Sequence, residues 1–200
     1  MLRELLYELT RGFAYRNISH PDMRKYTTWL PLLIYTACIA FYFGLGLDFK
    51  WLGTNGVFNG LQTILSTLPG FYFAGLAAVA TFGGRGMDTT MPEPTPSISI
   101  LVRGKFVPHD LSRRQFLSYL FSYLVVLSFL LCLSILGINA LAPTLPSFVS
   151  FMEAMQYGPW LLSIIKFCLG SALLLGLSSM LITTLHGIFF LTERMHQPNV

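Results

Sequence analysis

Residues 112–141 read SRRQFLSYLFSYLVVLSFLLCLSILGINAL, and this stretch decides the fold. After Arg113 and Arg114, the 38 residues 115–152 contain no Asp, Glu, Lys or Arg. A helix crosses a hydrocarbon core of about 30 Å in about 20 residues. The stretch is therefore a membrane span, roughly Arg113–Leu141. Ser112 and Gln115 have the spacing of a capping box at its start. Pro143 and Pro146 stop it at the far end.

The rest of the chain repeats the pattern. Residues 26–47, 51–84 and 167–192 are also charge-free, over 22, 34 and 26 positions. Each holds one span and none comfortably holds two. Of 200 residues, 54% are hydrophobic and 11% charged, where a soluble domain carries roughly 25% charged. A soluble enzyme, a disordered chain and a disulfide scaffold are excluded. The expected fold is an all-α membrane protein of four transmembrane helices. The other spans are read as Thr28–Leu47, Leu61–Phe82 and Trp160–Leu191. Pro69-Gly70 should kink or loosen the second. Trp29 and Trp51 flank the first as interface anchors.

Outside the spans lie five shorter pieces, one of them the Gly- and Asn-rich loop Asp48–Gly60. Residues 1–27 form an N-terminal segment, with no signal-peptide pattern. Within it, 2–16 reads as an amphipathic helix. Leu2, Leu5, Leu6, Leu9 and Phe13 share one side, and Arg3, Glu4, Glu8 and Arg11 the other. Such a helix can lie in the headgroup plane or pack on the protein's own loops. Residues 85–112 make one sizeable loop. Its proline run from Pro92 to Pro96 must be extended. Ser97–Val102 reads as a strand, Arg103-Gly104-Lys105 as a turn and Phe106-Val107 as a return strand, so a β-hairpin is expected. Residues 147–157 are read as an interfacial helix between spans 3 and 4, with Ser150 and Glu153 as its capping box. Residues 192–200 form a tail.

The basic residues set the orientation. Eleven of the 13 Lys and Arg fall in the N-terminal segment, the middle loop, the first two residues of span 3 and the tail, and only Lys50 and Lys166 lie on the other side. The positive-inside rule then places both termini and the middle loop in the cytoplasm.

Chemistry-bearing patterns are scarce. The three cysteines are scattered through separate apolar runs, so no disulfide framework or zinc site is indicated. No nucleophilic triad, HExxH, phosphate-loop or dinucleotide pattern occurs, and no cofactor is expected. Ser112–Leu117 matches a twin-arginine pattern but stands mid-chain, where it serves as a basic flank to a span. The ionisable group that falls inside a span is His186, within two turns of the end of span 4. It is read as hydrogen-bonding locally at the interface, with titration near neutral pH as the functional alternative. Asn59, Gln62 and Asn139 are read as wetted by headgroups.

Two surfaces stand out. In span 4, Ala172, Gly176, Ser179, Thr183 and Gly187 put small residues along one face. Such faces support close helix packing in lipid, between copies or within one chain. On the basic side, Arg85, Arg103, Lys105, Arg113 and Arg114 could meet acidic lipid or an acidic partner surface. No aromatic-rich basic groove for nucleic acid is visible.

Segments Ser97–Phe106 and Ser112–Phe121, with the four-span layout, make the chain resemble the small membrane subunit of the Kiwa antiphage system. That resemblance brings no catalytic residues. It implies a membrane homo-oligomer that senses envelope disturbance and works with a cytoplasmic effector protein. The residues by themselves favour a non-enzymatic sensor or scaffold, with a small oligomeric channel or holin-like pore as the alternative.

Overall fold

A computed structural model describes residues 2–46, 56–81, 86–102 and 104–194. Four helices in it are long and apolar enough to cross a membrane: Lys25–Gly44, Val57–Thr81, Arg113–Leu141 and Gly158–Glu193. The chain is thus an all-α, multi-pass membrane protein.

Proline and glycine place the breaks. Span 1 opens as a wide π-type turn, Lys25–Trp29, and continues as α2, Leu30–Gly44, with Pro31 in its first turn. Span 2 is two helices, α3 (Val57–Leu65) and α4 (Leu68–Thr81). The interruption falls where the Pro69 ring would meet the carbonyl of Leu65, four residues back. Span 3 is α5, Arg113–Leu141, and its capping box is present: Ser112 Oγ accepts from Gln115 N–H at 3.3 Å, and Gln115 Oε1 accepts from Ser112 N–H at 3.0 Å. Span 4 is α7, Gly158–Phe189, followed by a π-type turn to Arg194.

The connecting helix α6 differs from expectation. It runs Leu145–Glu153, with Pro146 in its first turn. Ser150 is therefore inside the helix, and its hydroxyl donates to the Ser147 carbonyl at 3.0 Å. The expected Ser150–Glu153 box does not form, because the proline fixes an earlier start. The N-terminal helix is also shorter. α1 covers Leu2–Thr10 and then tightens to a 3₁₀ turn, Arg11–Asn17, where Gly12 fits directly against Val126.

The hairpin is present and longer than expected. β1 (Ser97–Val102) pairs antiparallel with β2 (Lys105–Asp110), from Ser97↔Asp110 to Val102↔Lys105. Gly104, at φ +79°, makes the turn. Pro108 is tolerated because β2 is the exposed strand.

α5 is the central element. α3 and α4 pack on one side of it, and α7 on another. α2 packs chiefly on α7, where the Tyr35 hydroxyl donates to Ser171 Oγ at 2.9 Å. Tyr72 of α4 reaches Thr184 of α7 at 2.8 Å. One group of fully buried side chains gathers at one end of this arrangement, while others, Leu65 and Ile135 among them, lie further along the bundle. Tyr15, Leu111, Leu117, Leu120 and Phe190 are all 0–1% exposed. The N-terminal half of α7 and most of α2 are exposed, as lipid-facing surfaces are.

Candidate functional site

The buried end joins the described parts of the N-terminal segment and of the middle loop, both of which the sequence placed on the basic side. The 3₁₀ turn packs on α5, the hairpin root leads into α5, and the π-type turn of span 1 packs on α7. His186 of α7 stands where they meet. Its Nδ1 lies 2.7 Å from the Tyr15 hydroxyl. Tyr26 stacks flat on the imidazole, with ring centroids 4.1 Å apart and planes 9° apart. Phe116 sits edge-on to it at 5.8 Å.

The contacts continue inward. Tyr15 stacks on Tyr123 at 5.5 Å, and Tyr123 pairs with the Ser179 hydroxyl at 2.8 Å. One chain of contacts therefore links the start of span 1, the N-terminal segment, span 3 and span 4. Burial pushes the Tyr15 phenol well above its usual range, and the nearby Tyr123 and Tyr26 add to this. Tyr15 is a neutral phenol throughout the physiological range. It can donate to Nδ1 of an imidazole that carries its proton on Nε2.

Beside this cluster is a cavity of about 60 Å³, lined by His20, Asp22, Tyr26, Phe116 and His186 among others. The His20 ring accepts from Asp22 N–H at 3.1 Å, and Asp22 pairs with Lys25 at 2.7 Å. Among the described residues, no group of three His, Cys, Asp or Glu is arranged to hold a metal ion. The cavity has room for water or a small group.

His186 thus bonds to a residue far from its own helix. Its partner Tyr15 is 171 positions away, which no spacing rule reports. Tyr15 and Tyr26 went unmarked in the sequence for that reason. The visible signal was the histidine in the charge-free run 167–192 of span 4.

The small-residue face of span 4 is filled from within the chain. A Cβ on Gly176 would come within 2.8 Å of Leu131, and one on Gly187 within 3.0 Å of Leu120. Ser179 bonds Tyr123, and Thr183 is 1% exposed. Ala172 alone of the five is exposed. The other four are packed within the chain.

The basic set is divided. Arg85 and Arg103 lie outside the described residues. Lys105 is exposed on β2. Arg113 is buried, and so is no open contact surface. Arg114 is committed to its own chain, with Nε 2.7 Å from Asp88 Oδ1 and Nη1 donating to the Ala80 carbonyl at 2.9 Å. That grip ties the end of span 2 to the start of span 3. Gln62 also departs from expectation. It faces span 3, donating to Cys132 Sγ at 3.3 Å, and its buried Oε1 has no hydrogen-bond partner among the described residues.

Comparisons with known proteins return no matching family model, no matching curated protein and no matching solved structure.

Proposed function

We propose that the protein is a non-enzymatic oligomeric sensor or scaffold of the bacterial inner membrane, with both termini cytoplasmic, that recruits or regulates a cytoplasmic effector. In this reading it serves antiphage defence, as the resemblance to the Kiwa membrane subunit implies. The observation that carries the proposal is the Tyr15–His186–Tyr26 junction. It couples the bases of spans 1, 3 and 4 to the exposed hairpin surface, so a shift of the spans reaches the face a partner would meet. Close packing transmits such shifts because packed interfaces do not deform continuously. A pore is the weaker reading, because the Ser/Thr/Gly face that could line one is occupied by α5.

The test is affinity purification of the tagged full chain from cells that carry its neighbouring genes. A cytoplasmic protein should co-purify, and Arg103→Glu with Lys105→Glu should abolish its capture. Unchanged capture would remove the hairpin from the recruiting surface. Ion flux through liposomes reconstituted with the protein alone would replace the scaffold reading with the pore.

A further inference from the structure

The placement of α1 goes beyond that reading. α1 is pinned by the side of the helix that carries Tyr7 and leads into Arg11. The Tyr7 hydroxyl accepts from Leu101 N–H at 3.2 Å, and its ring meets Phe106 at 6.2 Å. Arg11 donates to the Ser99 carbonyl at 3.2 Å and to the Tyr119 hydroxyl at 2.5 Å, and its guanidinium lies 5.1 Å from the Tyr7 ring centroid. At 100° per residue, Leu5, Leu6 and Leu9 fall on the opposite side. They are 52%, 51% and 71% exposed. The leucines therefore face away from the hairpin, so packing on the protein's own loops does not account for them.

The depth of this segment follows from α5. Its 29 residues span about 43 Å, some 13 Å more than the hydrocarbon core. Gly12, two residues past α1, packs against Val126. Val126 is about 20 Å along α5 from Arg113. Even if all the surplus length of α5 lies at this end, Gly12 sits at the hydrocarbon boundary or inside it. The hairpin root enters α5 at Arg113, on the watery side of that level.

We infer that α1 is an in-plane anchor, with Leu5, Leu6 and Leu9 immersed in the near leaflet of the protein's own bilayer and the hairpin covering it from the water side. Glu4 and Glu8 stay at the rim. Arg16 and Arg24 are exposed in the same N-terminal segment and suit anionic headgroups. The occupant is lipid and not a second copy, because the bilayer that the spans require already lies at the level of Gly12.

Single-cysteine full-length protein, with Cys38, Cys132 and Cys168 replaced by serine, tests this in nanodiscs of phosphatidylethanolamine and phosphatidylglycerol. A fluorophore on Leu9→Cys should be quenched by a lipid-borne spin label on the order of threefold more than one on Glu8→Cys. Aqueous iodide should show the reverse order. Equal iodide access at the two positions would overturn the proposal. So would shielding of position 9 from both quenchers, which would mean a protein surface covers it. Labelled variants that elute with the unlabelled protein on size exclusion are folded enough to count.

Discussion

The Tyr15 hydroxyl and His186 Nδ1 are 2.7 Å apart, although 171 residues separate them in the chain. Tyr15 is fully buried, and stacking on Tyr123 fixes its ring. The bond is therefore positioned by packing and fastens the N-terminal segment to the last helix.

Tyr15→Phe keeps the ring and removes the hydroxyl. It should lower stability by about 1 kcal/mol, the net worth of one such bond. Tyr15→Ala should cost about 3–5 kcal/mol, because it also leaves a cavity. Thermal unfolding in detergent, followed by circular dichroism, would rank the two. Equal losses would show that the hydrogen bond carries the whole effect.

The raised phenol also predicts a pH dependence. The unfolded chain releases the Tyr15 proton near pH ~10, while the folded chain holds it longer. Above that pH the folded state binds more protons than the unfolded, so stability falls as pH rises. The slope for this one group is at most about 1.4 kcal/mol per pH unit. Tyr15→Phe lacks the component. The stability gap between wild type and Tyr15→Phe should be constant at pH 7–9 and narrow above pH ~10. A constant gap to pH ~11.5 would contradict the burial of the phenol.

Gln62 predicts a stabilising change. Its Oε1 is buried with no partner among the described residues, next to Cys132 of span 3. Gln62→Met has similar shape and no such acceptor, and it should raise stability by about 1–3 kcal/mol. An increase in the unfolding midpoint checks this. A decrease would mean that the carbonyl has a partner, such as an ordered water.

Topology is testable through the segment between spans 1 and 2. With both termini cytoplasmic, an alkaline phosphatase fused at Asn55 should be active and a green fluorescent protein fused there dark. The opposite result would invert the assigned orientation.

Different parts of the structure were legible to different degrees. α5 could be read from residues 112–141 because its cap, its apolar run and its stop are all local. The hairpin was legible from Ser97–Val102 and Gly104, since strand alternation and a positive-φ turn are local too. α6 was misplaced because Ser150 and Glu153 have capping-box spacing, while Pro146 sets the actual start. The His186 cluster was only half legible. A lone histidine in the charge-free run 167–192 marks a place, but its partners depend on how the bundle folds. The same holds for Gly176 and Gly187. Their spacing shows that a close neighbour exists, and only the fold shows that it is α5.

That seam yields the last prediction. Gly176→Leu would push into Leu131, because even a Cβ there comes within 2.8 Å. Overpacking of this kind costs about 1–3 kcal/mol. Gly170 lies six residues earlier on the same helix, and nothing is within 4 Å of a Cβ built there. Gly170→Leu should therefore leave the folded chain nearly unchanged. If the small-residue face is an intrachain seam, Gly176→Leu lowers the unfolding midpoint and leaves the subunit number of the detergent-solubilised protein as it was. Native mass spectrometry reads that number directly. A Gly176→Leu protein that unfolds like wild type but loses subunits would move the face to an interface between copies.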